Sequence, residues 1–258
     1  MKISMIGSGN LATNLADALF KSGHDIVNIY SRNIHHATML AERVGGLPVD
    51  DLSRLSPLSE VFILSVSDAA LPTLIPQLCK GREERIFLHT AGSMPMNVFE
   101  GMALHYGVLY PMQTFSKQRI VDFSCIPCFI EANDEKAETA AYTLAGDISN
   151  RVYGMDSDAR RYLHLAAVFA CNFVNHCYAL SADILESHGI PFDVMLPLID
   201  ETALKVHGMS PQDAQTGPAV RYDENVLRKQ SQLLRDNPLV KEIYDRMSLS
   251  IHNQSKKE

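Results

Sequence analysis

Four side chains able to carry or hold a proton, His164, Asn172, Asn175 and His176, fall in one stretch from Ser157 to His188 that contains neither proline nor, before Gly189, any glycine. Histidine titrates near neutral pH and suits general acid–base work. An asparagine amide gives up no net proton but can hold a carbonyl oxygen in place. A second set, His89, Tyr110, Gln113 and Thr114, lies at the ends of short apolar runs in the first half of the chain. Each has a plainer reading. His89 can be a satisfied histidine at a strand end, Tyr110 and Gln113 can brace the turn at Pro111, and His176 can lie on a solvated face. Taken together and lining one cleft, the two sets would orient a small carbonyl, hydroxyacid or imine and manage one proton. Buried amide and imidazole groups each need a partner, so their concentration in one helix argues for a use.

The elements that must position these groups alternate. Lys2 to Ile6, Asp25 to Tyr30, Val61 to Val66, Arg85 to His89 and Gly107 to Tyr110 read as strands, while Asn10 to Ser22 and Asn33 to Val44 have helical spacing. Ile126 to Glu131, a helix from Asp134 to Ala145, and Arg151 to Tyr153 complete this half. Strand–helix alternation predicts an α/β fold with a doubly wound parallel sheet. No strand is expected after about Tyr153. A long helix from Ser157 to His188 is followed by helical segments at Phe192 to Val206, Glu224 to Leu234 and Leu239 to Ser250. The expected domains are therefore 1–153 and an all-helical 154–258, with a polar tail from Asn253 to Glu258 that frays.

Gly7-Ser8-Gly9-Asn10-Leu11-Ala12 is a GxGxxA sequence between the first strand and the first helix. In that context Gly7 permits the tight turn, Gly9 lets the backbone approach a pyrophosphate, and Ala12 allows close helix–sheet packing. The phosphates would meet unpaired N–H groups at the helix N-terminus. The end of the second strand selects the cofactor. Where NAD sites carry an acid for the ribose hydroxyl, this chain has Ser31-Arg32-Asn33. Arg32 can pair with a 2′-phosphate and its neighbours can hydrogen-bond it, which points to NADP(H). Ser65-Val66-Ser67, closing the third main strand, would leave room for the nicotinamide ribose, and Asp68 would cap the next helix.

These residues, with His89-Thr90-Ala91-Gly92-Ser93, make the chain similar to the pyrroline-5-carboxylate reductase and hydroxyacid dehydrogenase superfamily. More specifically, it resembles the Rossmann-like proteins with a DUF2520 C-terminal domain. Tyr110 to Phe115, His164 to Phe173 and Thr216 to Asp223 resemble that group's later motifs, with Tyr222 where glycine is expected. The resemblance implies a 6-phosphogluconate-dehydrogenase-like architecture, an NADP oxidoreductase activity and a helical domain used for dimerisation. It supplies no substrate. Within this reading His164 and Asn172 are the expected catalytic residues, and His89, Tyr110, Gln113 and Thr114 hold substrate. Eight residues on a straight helix separate the catalytic pair by about 12 Å with a rotation of roughly 80°. The two reach one atom only if the helix bends. Asn172 and His176, four apart on one face, are the competing pair.

Composition narrows the classes. Of 258 residues 46% are hydrophobic and 21% charged, with a net charge of −7 and no basic block, so nucleic acid is not an expected partner. No run of eighteen uninterrupted apolar residues occurs, and the short N-terminal apolar run leads straight into a glycine turn. Neither a transmembrane helix nor a signal peptide is expected. The five cysteines suggest no disulfide framework, which reads as a reducing, cytoplasmic compartment. Cys125 and Cys128 form a CxxC without two further ligands, so no metal is expected, and the pair reads as two part-buried thiols at a strand start. Two alternatives to an enzyme stay open: a non-catalytic NADP(H)-binding sensor or regulatory module, and a Rossmann protein that binds another nucleotide without redox chemistry.

Overall fold

The computed structural model describes residues 1–256. Eight strands form one sheet: β1 (Lys2–Ile6), β2 (Asp25–Tyr30), β3 (Leu47–Val49), β4 (Val61–Leu64), β5 (Ile86–His89), β6 (His105–Pro111), β7 (Cys128–Ala132) and β8 (Val152–Gly154). Their spatial order is β3-β2-β1-β4-β5-β6-β7-β8, so the chain crosses from one half to the other between β3 and β4. β1, β4 and β5 are near-continuous apolar runs because helices cover both of their faces.

On one face α1 (Asn10–Lys21), α2 (Ile34–Val44) and α4 (Glu135–Gly146) place Leu15, Leu40 and Leu144 against Ile3, Met5 and Ile63. On the other, α3 (Leu71–Cys79) lays Leu71, Ile75 and Leu78 over Phe62, Phe87 and Phe99. The Rossmann architecture expected from alternation is therefore present, with one correction. β7 runs antiparallel to β6, because the segment between them is a loop and not a crossover helix. β3, a three-residue edge strand containing Pro48, has too little pattern to be read from sequence.

The long helix is not uniform. α5 (Ser157–Ala167) passes through a π-helical turn, Val168–Phe173, into α6 (Val174–Glu186). A π-turn takes an extra residue per turn, so straight α-helical spacing does not hold through it. By length and composition Ser157–Glu186 is also long and apolar enough to cross a membrane, its most apolar 18-residue window having a mean hydropathy of 1.3, a property that a search for uninterrupted apolar runs does not register.

The chain forms two compact units, Met1–Cys171 and Asn172–Glu258. The expected boundary at Tyr153/Gly154 marks where strands cease, whereas the units divide within the π-turn, because α5 is hydrogen-bonded into the sheet unit. The second unit contains all of α6, then α7 (Leu196–Lys205), α8 (Glu224–Leu233) and α9 (Pro238–Ser255). The helix α9 extends through Ser255, so Asn253 to Ser255 are not frayed; Lys257 and Glu258 lie outside the described residues.

Candidate active site

The glycine turn sits where β1 meets α1. Gly7 has φ +123°, and a Cβ there would lie 2.1 Å from the Ser65 carbonyl oxygen. Only glycine allows β1 and the segment after β4 to approach this closely. A Cβ on Gly9 would meet nothing within 4 Å. Gly9 is the N-cap of α1 and no side chain caps it. The first turn of α1 therefore presents its N–H groups to open space, as a pyrophosphate requires.

That space is a cavity of about 1060 Å³. Of the residues expected to hold the cofactor, Gly7, Gly9, Asn10, Leu11, Ser31, Arg32, Ser65, Val66 and Ser67 line it. Arg32 is exposed and has no ion-pair partner among the described residues. Two expected contacts are corrected. Ser8 is buried in the turn and outside the lining. Asn33 spends its carboxamide oxygen as the N-cap of α2, accepting the His35 N–H at 3.0 Å.

The same cavity continues to Tyr110, Gln113 and His164. α5 brings His164 there. Asp156 caps the helix by accepting the Ala159 N–H at 2.8 Å, and the Met96 N–H donates to Ser157 Oγ at 2.9 Å. One turn on, Arg160 donates to Glu131 Oε2 at 2.5 Å and to the Met94 carbonyl at 2.7 Å. Another turn places His164 Nδ1 3.0 Å from the Tyr110 hydroxyl, with the rings edge to face at a centroid distance of 6.1 Å. Gly92 makes room for this: a Cβ there would stand 2.6 Å from His164 Nδ1. Burial pushes the Tyr110 phenol up, and the nearby charge of Arg160 pulls it back.

His89 is not a wall of this cavity. Its ring is fully buried, with Nδ1 accepting the Ala91 N–H at 3.2 Å and Nε2 3.3 Å from the Pro95 carbonyl. Burial, reinforced by the Arg160 charge, pushes it down to about 4, so the ring stays neutral and pins the 91–95 loop that includes Gly92. The plainer reading of His89 holds, and its substrate-binding assignment is withdrawn. Thr114 is likewise outside the lining; its N–H is taken by the Gln113 side-chain oxygen at 2.8 Å. Asn172 lies in the π-turn, in the second unit, with its side chain exposed, as are Asn175 and His176.

Other expectations resolve locally. Cys128 is buried, its thiol pushed up to about 11 by desolvation, while Cys125 is exposed; neither has the electropositive helix start of a redox pair. Asp68 hydrogen-bonds Ser93 and does not cap α3. Asp223 caps α8 through the Val226 N–H at 3.2 Å. Tyr222 has φ 51°, the left-handed conformation expected of the glycine it replaces. Its ring stacks on His252 at a centroid distance of 4.4 Å, which offsets part of a backbone cost of about 1–2 kcal/mol.

Several lining residues escaped the sequence reading. Thr73, Leu74 and Gln77 reach the cavity from α3, and Phe115 from the loop after β6. Asn14 organises that loop. It is fully buried in α1, donates to the Asn10 and Ser116 carbonyls at 2.9 Å each, and accepts the Val121 N–H at 3.1 Å. An asparagine on the apolar stripe of a helix was the available signal.

Fold and cavity together define a dinucleotide-binding Rossmann protein with Tyr110 and His164 in hydrogen-bond contact in the wall of the cavity. Family comparison agrees. Residues 2–91 match the model described as NADP oxidoreductase coenzyme F420-dependent, and residues 126–251 match a domain of unknown function, DUF2520. A solved structure from Bacteroides fragilis, named "putative NADP oxidoreductase", is 52% identical and covers 98% of each chain, with a TM-score of 0.95. The chain belongs to this family of Rossmann-like NADP oxidoreductases with a DUF2520 region, whose cofactor is NADP(H). A Thermotoga maritima protein, 22% identical over 98% of this chain and 99% of its own, shares the fold with a TM-score of 0.80. An imine reductase from Myxococcus stipitatus in complex with NADP+ does so at 15% identity, over 100% of this chain and 95% of its own, with a TM-score of 0.68. A comparison with curated proteins finds no match.

Proposed function

We propose that the protein reduces a small carbonyl or imine, or oxidises the corresponding hydroxyacid or amine, and that Tyr110 and His164 handle the proton. The observation that supports this most is the 3.0 Å contact between these two groups in the wall of the cavity that begins at the glycine turn. Bound NADPH supplies the reducing equivalents. The protein's share is to orient the substrate, deliver one proton and restore it. Tyr110 is the donor to the substrate oxygen or nitrogen, and Nδ1–H of His164 returns a proton to the phenolate while solvent supplies one at Nε2, so the imidazole stays neutral overall. Gln113 lies in the same wall and can hold the substrate's polar atom.

A screen of small ketoacids and cyclic imines, followed by NADPH consumption, tests this reading. NADPH binds at least about tenfold more tightly than NADH, 1.5 kcal/mol being the lower end for a hydrogen bond to a charged group. Arg32→Ala removes most of that difference. Equal affinity of the unaltered protein for both cofactors would remove Arg32 from the site. Tight cofactor binding with no turnover on any substrate class would favour the sensor reading.

The reading includes a homodimer through the helical region. Among the described residues of the second unit only Ala219 is buried, while Val194, Leu198, Leu204, Leu233 and Leu239 are more than half exposed. A helical unit without a core of its own needs a partner surface. A second copy fits better than a bilayer, because the exposed apolar residues are spread over several helices and interleaved with Asn172, Asn175, His176 and Asp183. Interfaces of this obligate type bury about 2,000–5,000 Å². Sedimentation is expected to give a dimer at micromolar concentration; a stable monomer refutes it. A reducing, cytoplasmic setting belongs to the same reading, in keeping with five free thiols.

A further inference from the structure

Arg160 is fully buried in α5 and lies outside the cavity lining. Its guanidinium meets Glu131 at 2.5 Å, the Met94 carbonyl at 2.7 Å and Ser157 Oγ at 3.1 Å, and Nε has no hydrogen-bond partner among the described residues. A buried ion pair adds little stability over well-packed apolar side chains, so packing alone does not account for it.

Its position relative to the proton-handling pair does. β6 and β7 pair Val108 with Glu131 and Tyr110 with Phe129. Positions two apart on a strand share a face and are about 7 Å apart. Along α5, Arg160 and His164 share a face and are about 6 Å apart. The two spacings match. When Arg160 engages Glu131, beside Val108, His164 is brought against Tyr110, and the Met94 contact holds the loop in which Gly92 leaves space for the imidazole.

We propose that Arg160 is a positioning residue for the Tyr110–His164 pair, setting the register of α5 on the sheet and placing a permanent buried positive charge beside the Tyr110 phenol. This rests on the reading of that pair as the proton-handling groups. His164 and Arg160 from α5 act on the phenol directly, Glu131 from β7 is held by Arg160, and His89 from β5 pairs with Val108, two positions along β6 from Tyr110. His89 is held neutral, Glu131 is engaged by Arg160, and the Arg160 charge favours the phenolate left when Tyr110 gives its proton to substrate. His164 then reprotonates it, so the tyrosine is unchanged over a cycle.

The test needs no substrate. Ionisation of Tyr110 is followed as phenolate absorbance, each variant being compared with the same variant carrying Tyr110→Phe, and NADPH fluorescence reports whether the cofactor site is intact. Arg160→Gln with Glu131→Gln removes both charges at nearly constant shape. Tyr110 is then expected to titrate at higher pH while NADPH affinity is kept. An unchanged titration in the folded double variant overturns the proposal. Arg160→Lys keeps the cation and must raise the titration of Tyr110 less than the neutral pair does; a rise as large as in the neutral pair leaves no role for the charge and overturns the proposal as stated. Should the neutral pair not fold, Glu131→Gln alone, which keeps the cation, must leave Tyr110 titrating no higher than before, and a rise there counts against the proposal. A fruitless substrate search would fail the reductase reading without altering these titrations.

Discussion

On the proposed reading, turnover is expected to fall by about 10²–10⁴-fold when His164 is replaced by alanine or Tyr110 by phenylalanine, the usual range for loss of a positioned general acid. The cofactor should still bind, because neither substitution touches the glycine turn or Arg32. Tyr110→Phe keeps the ring that packs with Val108 and Phe129, removing only the hydroxyl. His164→Ala removes the imidazole 3.0 Å from the phenol. Because the two act as a unit, the double variant should lose little more than the worse single one. Full turnover in either single variant, measured on whichever substrate the screen yields, takes that residue out of the chemistry.

Gly7→Ala should be the most damaging single methyl group in the sheet unit, costing about 3 kcal/mol or more of folding free energy. Two penalties add. A backbone with φ +123° is one that side-chain-bearing residues rarely adopt, at about 1–3 kcal/mol. The new Cβ would also stand 2.1 Å from the Ser65 oxygen and 2.8 Å from its carbon, an overpacking cost of about 1–3 kcal/mol. Neither neighbour can move away easily, since the Gly7 N–H is bonded to the Tyr30 carbonyl and the Ser65 N–H to the Ile6 carbonyl, each at 2.8 Å. Gly9→Ala is the control. With nothing within 4 Å of its Cβ, the protein should unfold at the same denaturant concentration as the original, yet bind NADPH more weakly because the methyl occupies space meant for the pyrophosphate. Parallel urea melts and cofactor titrations separate the two effects. If Gly7→Ala melts like the unaltered protein, the close approach of β1 to the Ser65 segment is not what the glycine is for.

The amino-acid sequence by itself determined seven of the eight strands, the glycine turn, the basic choice at Arg32 and the helical character of the part after Gly154. Each of these is local. A run such as Val61 to Leu64 can only be a strand covered on both faces, and GxGxxA between a strand and a helix has one well-defined geometry. The likeness to the DUF2520 proteins was also legible, because its motifs are contiguous words in the chain. Tertiary structure decided what depends on elements distant in sequence. It put His89 under the loop instead of in the cavity, since whether a strand-end histidine is satisfied depends on where Pro95 and Ala91 fold back. It turned β7 antiparallel, gave Asn14 the task of tying down the 113–121 loop, and inserted a π-turn that periodicity does not reveal. Above all it paired Tyr110 with His164, 54 residues apart in sequence. The residue types announced that protons could be moved, but only the register of α5 on β6 and β7, set where Arg160 meets Glu131, made those two groups neighbours.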